Sequence, residues 1–330
     1  ICDRYRVYPI LKNSIKPIIT GAYSIDGLKD MIKMTKIVMD EEAIKKPIFS
    51  NMCCPTSPLA LGTLVCQAVM ECAKEKVPTV VISAPISGAT SPATLAGTLV
   101  QHACEVLSAI VLGQVVRSGS SFIYGGSPGI LDMRYGNFSM GATESNLMNC
   151  AHVEIGKYFG LPTHAYLGLS DSKIADAQAG IEATSGITLA VLTEVNAVSG
   201  PGMLEFESCQ SFEKLVTDNQ ICEMAFRLKR GVQVSAETLA LDLIKEIGPG
   251  GHYLASKHTH EWFRKEQLIP SAVIDRTKRE NWEKLGCKDT AQRAREIAKK
   301  IISEHKPEPL PKEAERKLDN IIRELHRKYA

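Results

Sequence analysis

The sequence predicts an α/β fold built on a parallel sheet, and three observations carry that reading. A unit made of a short β-branched run, a Gly/Pro/Ser/Asn-rich turn and a longer apolar-periodic segment recurs six times between about residues 15 and 230. The short runs are apolar throughout instead of alternating, as expected of strands covered by helices. No early Gly-x-Gly-x-x-Gly turn opens a helix; Gly125, Gly126 and Gly129 look similar but lead into a long loop, which argues against dinucleotide binding. Six units in a row allow either an open doubly wound sheet or a barrel.

The units follow in order. The run at 17–20 leads through Gly21 and Ser24 into a helix from about Ile25 to Met39. The run at 47–51 passes Ser57 and Pro58 into a helix reaching about Lys76, and the run at 78–83 passes Ser91 and Pro92 into a long helix ending near Arg117. Each Ser-Pro pair reads as an N-cap followed by an N1 proline. The run at 121–124 opens a long loop before a helix from about Thr143 to Phe159. The run at 162–166 passes Gly168 and Ser170 into a helix from about Ala175 to Thr193. The last unit, 196–206, precedes a helix from about Ser211 to Lys229, with Ser211 as its cap. Residues 1–250 are thus read as the β/α domain and 251–330 as a helical extension. The breaker Gly248-Pro-Gly-Gly251 separates them, and the stretch from Lys306 to Pro311 is a stiff break between two terminal helices. The extension is expected to wrap the domain or to make a subunit contact in a homo-oligomer.

With 330 residues and 44% hydrophobic content the chain can bury a sizeable core. A net charge of +2 with scattered lysines and arginines excludes a nucleic-acid surface, which needs a concentrated basic patch. The longest apolar run, Val106 to Val116, reads as one core helix and no membrane span is expected. The ten cysteines, several inside apolar helical segments, read as buried thiols in a reducing, cytoplasmic setting. His252, His258 and His260 lack a strong third ligand at a known interval, and Cys53-Cys54 is not a zinc spacing, so no metal site is expected. The chain starts at Ile1, and with six units present it reads as a fragment of a longer protein.

Chemistry in such folds gathers on the loops after the carboxyl ends of strands. Those loops hold few charges: Asp132, Arg134, Glu144, Asp171, Lys173, Asp176, Glu205 and Glu207. Ser170-Asp-Ser-Lys173 with Asp176 and Gln178 is the densest constellation; helix capping by Ser172 or Asp176 explains part of it, but not Lys173 beside two acids. The segment from Asp132 to Glu144 is a long loop, and Glu144 can serve simply as an acid at the positive end of a helix. Tyr124, Tyr135, Phe138 and Tyr166 can line a pocket for a methylated ammonium through their ring faces, or they can be ordinary core-edge aromatics.

Several segments together resemble the corrinoid-dependent trimethylamine methyltransferase family, which includes relatives acting on glycine betaine. They are Lys16 to Ile19, Glu105 to Gln114, Asp132 to Arg134 with Gly141 to Glu144, Gly160 to Pro162, Ser170 to Lys173 with Asp176 to Gln178, Gly202 to Glu205, Glu213 to Asp218, Gly248 to His252 and His305 to Leu310. The resemblance covers almost the whole chain and implies a TIM (β/α)8 barrel that lacks its first two β/α units here. It implies methyl transfer from a small methylated amine to the Co(I) of a corrinoid carried by a separate cognate protein, with no cofactor held tightly by this chain. Asp171, Asp176 and Glu205 are then expected to supply negative potential, Lys173 or Arg134 to hold a substrate carboxylate, and Tyr124, Tyr135 and Tyr166 to form aromatic walls. Glu144 would orient its loop, and Gln178 would complete the substrate-binding set. The family's pyrrolysine has no counterpart among the twenty standard residues of this sequence, which favours a quaternary amine over trimethylamine. Two other readings stand beside this one. Lys173 as a Schiff-base nucleophile would make the chain a lyase or aldolase, although its polar loop argues against that. An inactive barrel that only binds a corrinoid protein is the non-enzymatic alternative.

Overall fold

A computed structural model describes residues 2–39 and 47–329. Six strands, β1 (Ile18–Gly21), β2 (Phe49–Cys53), β3 (Thr79–Ser83), β4 (Phe122–Gly126), β5 (Thr163–Tyr166) and β6 (Ala197–Ser199), pair in strict chain order, all parallel. A doubly wound sheet reverses its strand order at a switch point. The unbroken order here is that of a singly wound, curled half-barrel, and it decides between the two architectures the repeat allowed.

A helix α1 (Cys2–Asn13) precedes the sheet, and each strand is followed by a helix: α2 (Ile25–Val38), α3 (Thr63–Glu75), α4 (Leu95–Val116), α5 (Thr143–Tyr158), α6 (Ala177–Leu192) and α7 (Phe212–Arg230). Alternation along the strands separates two apolar layers. Ile18, Phe49, Cys53, Val81, Phe122 and Tyr124 face the helices and join Val69, Cys72, Val106 and Ala109 in the main core. Val80, Ile82 and Tyr166 face the inside of the curl, where Met140 and Leu169 cover them and Met52, Ile123, Phe138 and Met203 pack around them. Both faces are therefore apolar, which is why the strands show no polar alternation.

Helix starts follow the sequence where the cap is local. Ser24, Asp176 and Ser211 accept hydrogen bonds from the amides of Gly27, Ala179 and Lys214. The Ser-Pro pairs do not cap. Helix α3 begins at Thr63 and α4 at Leu95, three or more residues later than a cap there implies. The Ser57 hydroxyl donates instead to Glu105 (2.7 Å), and Ser91 pairs with Thr98 (2.9 Å), so both serines hold loops. The reading of no membrane-length run is also revised: α4, with 22 residues, is long and apolar enough to cross a membrane by length and composition. In the structure it packs on α3, α5, β3 and β4, and it buries Thr98, His102 and Glu105 on that side.

The β/α repeat ends at Arg230, and the chain continues through α8 (Ala236–Leu239), α9 (Leu241–Ile247), α10 (Lys257–Glu266), α11 (Arg279–Lys284), α12 (Thr290–Glu304) and α13 (Lys312–Tyr329). Helix α12 packs on α7, and α13 returns to the start of the chain to pack on α1 and α2. Leu318, Ile321, Ile322 and Leu325 of α13 are buried in the same cluster as Val7 and Leu11.

Candidate functional site

The carboxyl ends of the strands open onto a mouth whose loops are tied by buried carboxylates. Glu105 of α4 is 2% exposed and accepts from Ser57 Oγ (2.7 Å), Ser83 Oγ (2.6 Å), the Leu59 amide (2.9 Å) and Gln101 Nε2 (3.0 Å). Burial opposes its ionisation, but these donors outweigh it and hold the carboxyl below its usual range. It thereby fixes the loops after β2 and β3 to one helix. The loop after β3 contributes a short strand, Ile86–Ser87, that pairs with Gly129–Asp132, which pairs in turn with Asn137–Ser139. This small sheet stands over the mouth.

The loop after β5 is anchored from α6. Glu182 accepts from Ser170 Oγ (2.6 Å), the Asp171 amide (2.8 Å) and Gln178 Nε2 (2.9 Å). Helix and loop approach closely because Gly168 and Gly186 meet there; a Cβ on Gly186 would lie 2.3 Å from the Gly168 amide nitrogen. Asp171 accepts from the Gly141 amide at 2.9 Å, which links the loops after β4 and β5. Burial raises the affinity of Asp171 for a proton, and that amide offsets the effect only in part. Lys173 is exposed; its ammonium donates to the Asp171 carbonyl (2.9 Å) and lies over the Phe206 ring at 4.7 Å. Asp176 is the N-cap of α6, and Ser172 donates to it at 2.9 Å.

The loop after β6 is a small hairpin, Met203–Leu204 paired with Cys209–Gln210. Its tip holds three successive residues in the left-handed region, Glu205 (φ 50), Phe206 (φ 54) and Glu207 (φ 76). The Glu205 amide donates to the Ser172 carbonyl at 2.9 Å. Glu207 is exposed on this hairpin, and the Tyr166 hydroxyl donates to Met52 Sδ at 3.8 Å, so β2 and β5 meet on the inner face. Partial burial raises the proton affinity of Glu207, and the Tyr166 hydroxyl moderates the effect. Beneath Tyr166, His164 is fully buried, with ring centroids 5.3 Å apart and Nε2 2.9 Å from Ser199 Oγ. Its Nδ1 has no hydrogen-bond partner, and burial lowers its pKa to about 4, which keeps the ring neutral.

Both hairpin and β5 loop rest on α7. Lys214 and Asp218 form a buried pair at 2.5 Å, with side chains 2% and 1% exposed. Lys214 also donates to the Gly168 carbonyl (2.9 Å), and Asp218 accepts from the Gly202 amide (2.6 Å). One helical turn of α7 thus sets the height of two mouth loops.

Among the residues expected from sequence, the structure brings Asp171, Lys173, Asp176 and Glu205 to the loops after β5 and β6, with Tyr166 at the end of β5 and Gln178 on the first turn of α6. It does not bring Tyr124 there. That ring is 0% exposed and lies in the helix layer beside His102 and His152, at centroid distances of 5.5 and 6.2 Å, because its register position faces outward with Cys53 and Val81. Arg134 spans Asp132 with two bonds (3.0 and 2.6 Å) in an exposed turn and stacks over Tyr135, itself 73% exposed. Both stand at a hairpin tip in solvent. Glu144 is an exposed first-turn residue of α5, and the loop before that helix is held by Asp171. The residues that sequence reasoning passed over are Glu105, Glu182, His164, Ser199 and the Lys214–Asp218 pair. Only the last had a local signal, an acid four residues after a lysine on one helix.

The fold and its mouth define a class, a singly wound β/α protein with carboxylates and an apolar, thioether-rich inner wall at the strand ends. The sequence profile of the family described as trimethylamine methyltransferase (MTTB) matches residues 5–329, and the chain belongs to that family. It is 36% identical over 322 residues to the trimethylamine methyltransferase MttB of Desulfitobacterium hafniense, covering 97% of this chain and 64% of that protein. It is 40% identical over 275 residues to MttB of Methanosarcina thermophila, covering 82% and 56%, and 33% identical over 321 residues to a glycine betaine methyltransferase of D. hafniense, covering 96% and 66%. The chain therefore spans less than two thirds of the length of MttB from either organism.

Proposed function

We propose that the whole protein moves a methyl group from a methylated amine to the Co(I) of a corrinoid held by a separate partner protein, and that the curled sheet is six units of a (β/α)8 barrel. The observation that carries this reading is the mouth itself. Two carboxyls, the half-buried Asp171 and the exposed Glu207, stand at the rim near an inner wall of Met52, Met140, Met203 and Tyr166. Such a wall excludes water, and carboxylates at its rim attract a cationic head. The corrinoid is a second substrate, delivered by its carrier.

In-line attack on the methyl carbon forms the new carbon–cobalt bond as the carbon–nitrogen bond breaks, and the nitrogen keeps the electron pair. A quaternary donor then leaves as a neutral tertiary amine with no proton required. The contribution of this chain is to bind and orient the donor and to keep water out. The Schiff-base reading finds little support, since Lys173 is solvated and Lys214 is committed to Asp218 and Gly168.

The experiment follows the absorbance change from Co(I) to methylated Co(III) with full-length protein, a carrier corrinoid protein and a panel of betaines and methylamines. Methylation with at least one donor is the expected result. Unmethylated cobalt across the panel overturns the proposal, and carrier binding without transfer assigns the chain to an inactive, carrier-binding role.

A further inference from the structure

We infer that the solvent face of α4 is a contact between two copies of this chain, related by a two-fold axis that passes near the middle of the helix. The inference is independent of the proposed reaction and concerns the side of the molecule, not its mouth.

The face is unlike one made to meet water. The exposed positions of α2 are Asp26, Lys29, Lys33 and Lys36, all charged, as the outer side of an amphipathic helix should be. The exposed positions of α4 are Ala96, Val100, Cys104, Ser108, Val111 and Val115, and none is charged. Val100, Val111 and Val115 are 66%, 61% and 80% exposed. Glu105, the one charged residue of the helix, is turned inward to the loops after β2 and β3. Even the Ser108 hydroxyl is used within the helix, where it donates to the Cys104 carbonyl at 2.7 Å. The six positions follow one another at intervals of three or four residues, so they form a single stripe, on the side away from β3 and β4.

Two properties select a second copy as the occupant. The first is that the stripe is self-complementary. Laid antiparallel on itself, it sets Ala96 against Val115, Val100 against Val111 and Cys104 against Ser108, and each pair forms twice across the axis. The small residues fall at the centre, where two helices can approach closely, and the valines flank them. A two-fold contact requires that match of a patch with itself, and a different partner does not. The second is area. A 22-residue helix about 33 Å long and about 10 Å wide offers on the order of 330 Å², and the 16-residue α5 and α6 offer on the order of 240 Å² each. Together these approach the roughly 800 Å² per partner of a standard interface. Helices α5 and α6 follow α4 around the curl, and Leu147, Ile181 and Leu192 on them are more than half exposed. Glu154 and Lys157 of α5 neutralise each other at 2.9 Å, Glu182 of α6 is turned to the β5 loop, and Glu144 stands at the mouth end of α5, on the rim of such a contact.

The test is sedimentation velocity of full-length protein at micromolar concentration, where a dimer, or a larger assembly of dimers, is expected. Val100→Asp and Val111→Asp each place the new charge in the contact twice, so each is expected to weaken association by roughly a hundredfold or more and to halve the sedimenting mass. Val232→Asp, the same change at a valine 83% exposed beyond α7, is expected to leave the mass unchanged. The axis also brings the exposed Cys104 thiols of the two copies close together. A short bismaleimide should therefore give a covalent dimer of the wild type that Cys104→Ser abolishes and Cys209→Ser does not. This second measurement introduces no charge and decides the matter if the aspartate variants fail to fold. A wild-type monomer overturns the inference, whether it stays in solution or floats with phosphatidylcholine vesicles, which would give the face to a bilayer. An oligomer whose mass survives both aspartate variants, or whose Cys104 thiols do not cross-link, overturns it equally.

Discussion

Glu205 and Glu207 sit two positions apart in a loop whose few charges all stand out in the sequence, and both are exposed. The left-handed turn at Glu205, Phe206 and Glu207 rotates the backbone between them and lays Phe206 under the Lys173 ammonium. Residue type and spacing do not encode that rotation. Tyr124 and Tyr166 show how facing escapes residue type, since Tyr124 pairs with Thr163 and the odd offset of three positions to Tyr166 sends one ring to the helices and the other to the mouth. Glu105 makes the strongest residue-level prediction. Glu105→Ala leaves two serine hydroxyls and the Leu59 amide without their acceptor, and a stability loss of about 3 kcal/mol is expected in denaturant titration. A loss below about 1 kcal/mol would show that the loops after β2 and β3 do not depend on it. The buried histidines predict a pH effect. Burial lowers His102 and His164 to about 4 and holds His152 well below its ordinary value. The folded state holds them neutral while the unfolded chain protonates near pH 6.5, so stability is full above about pH 6.5 and falls as pH drops toward 4. His102→Gln should flatten the fall of the melting temperature across that window; an unchanged slope would rule out its contribution.

At the scale of elements, what was legible was local. The six strands and their helices could be placed from run length and turn chemistry, and the caps at Asp176 and Ser211 from a hydroxyl or carboxylate three residues before a free amide. The Ser57 and Ser91 caps misled because their side chains answer to partners 48 and 7 residues away, and nothing in a local window weighs those partners. Helix α7 makes the same point in reverse. Its Lys214–Asp218 spacing resembles a surface pair worth a few tenths of a kcal/mol, but both groups are buried and each also binds a mouth loop. Burial raises the proton affinity of Asp218, and Lys214 holds it back in part. Lys214→Met strands that carboxylate and frees the Gly168 carbonyl, so a cost of about 3–5 kcal/mol is expected. Adding Asp218→Asn should recover part of it, because the uncompensated charge is then gone. A double mutant no more stable than Lys214→Met would place the cost in lost packing instead of charge.

For the molecule as a whole, strand order decided the architecture, and order in space is what a linear reading lacks. The repeat allowed a doubly wound sheet until the pairing ran through all six strands without reversal. The helical extension is legible as helices but not in where it goes. Its two long members attach in different ways. Helix α12 meets α7 partly through the Arg295–Glu213 pair at 2.8 Å, and with the arginine side chain 58% exposed solvent screens that pair and leaves it a weak tie. Helix α13 instead inserts Leu318, Ile321, Ile322 and Leu325 into the cluster of Val7 and Leu11, while Tyr8 donates to Asp319 at 2.5 Å and Lys12 pairs with Glu315 at 2.7 Å. Four buried aliphatic side chains at about 1.5–3 kcal/mol each give an upper bound of about 6–12 kcal/mol, comparable to the whole net stability of a domain. Removal of residues 306–330 should therefore abolish cooperative melting, whereas Arg295→Ala should move the melting temperature by no more than a few degrees. Leu318→Ala, which leaves the helix in place, should cost about 2–5 kcal/mol. A truncated protein that melts cooperatively within a few degrees of the intact one would show α13 to be an appendage and not a part of the core, and the chain's two ends would then have no need of each other to fold.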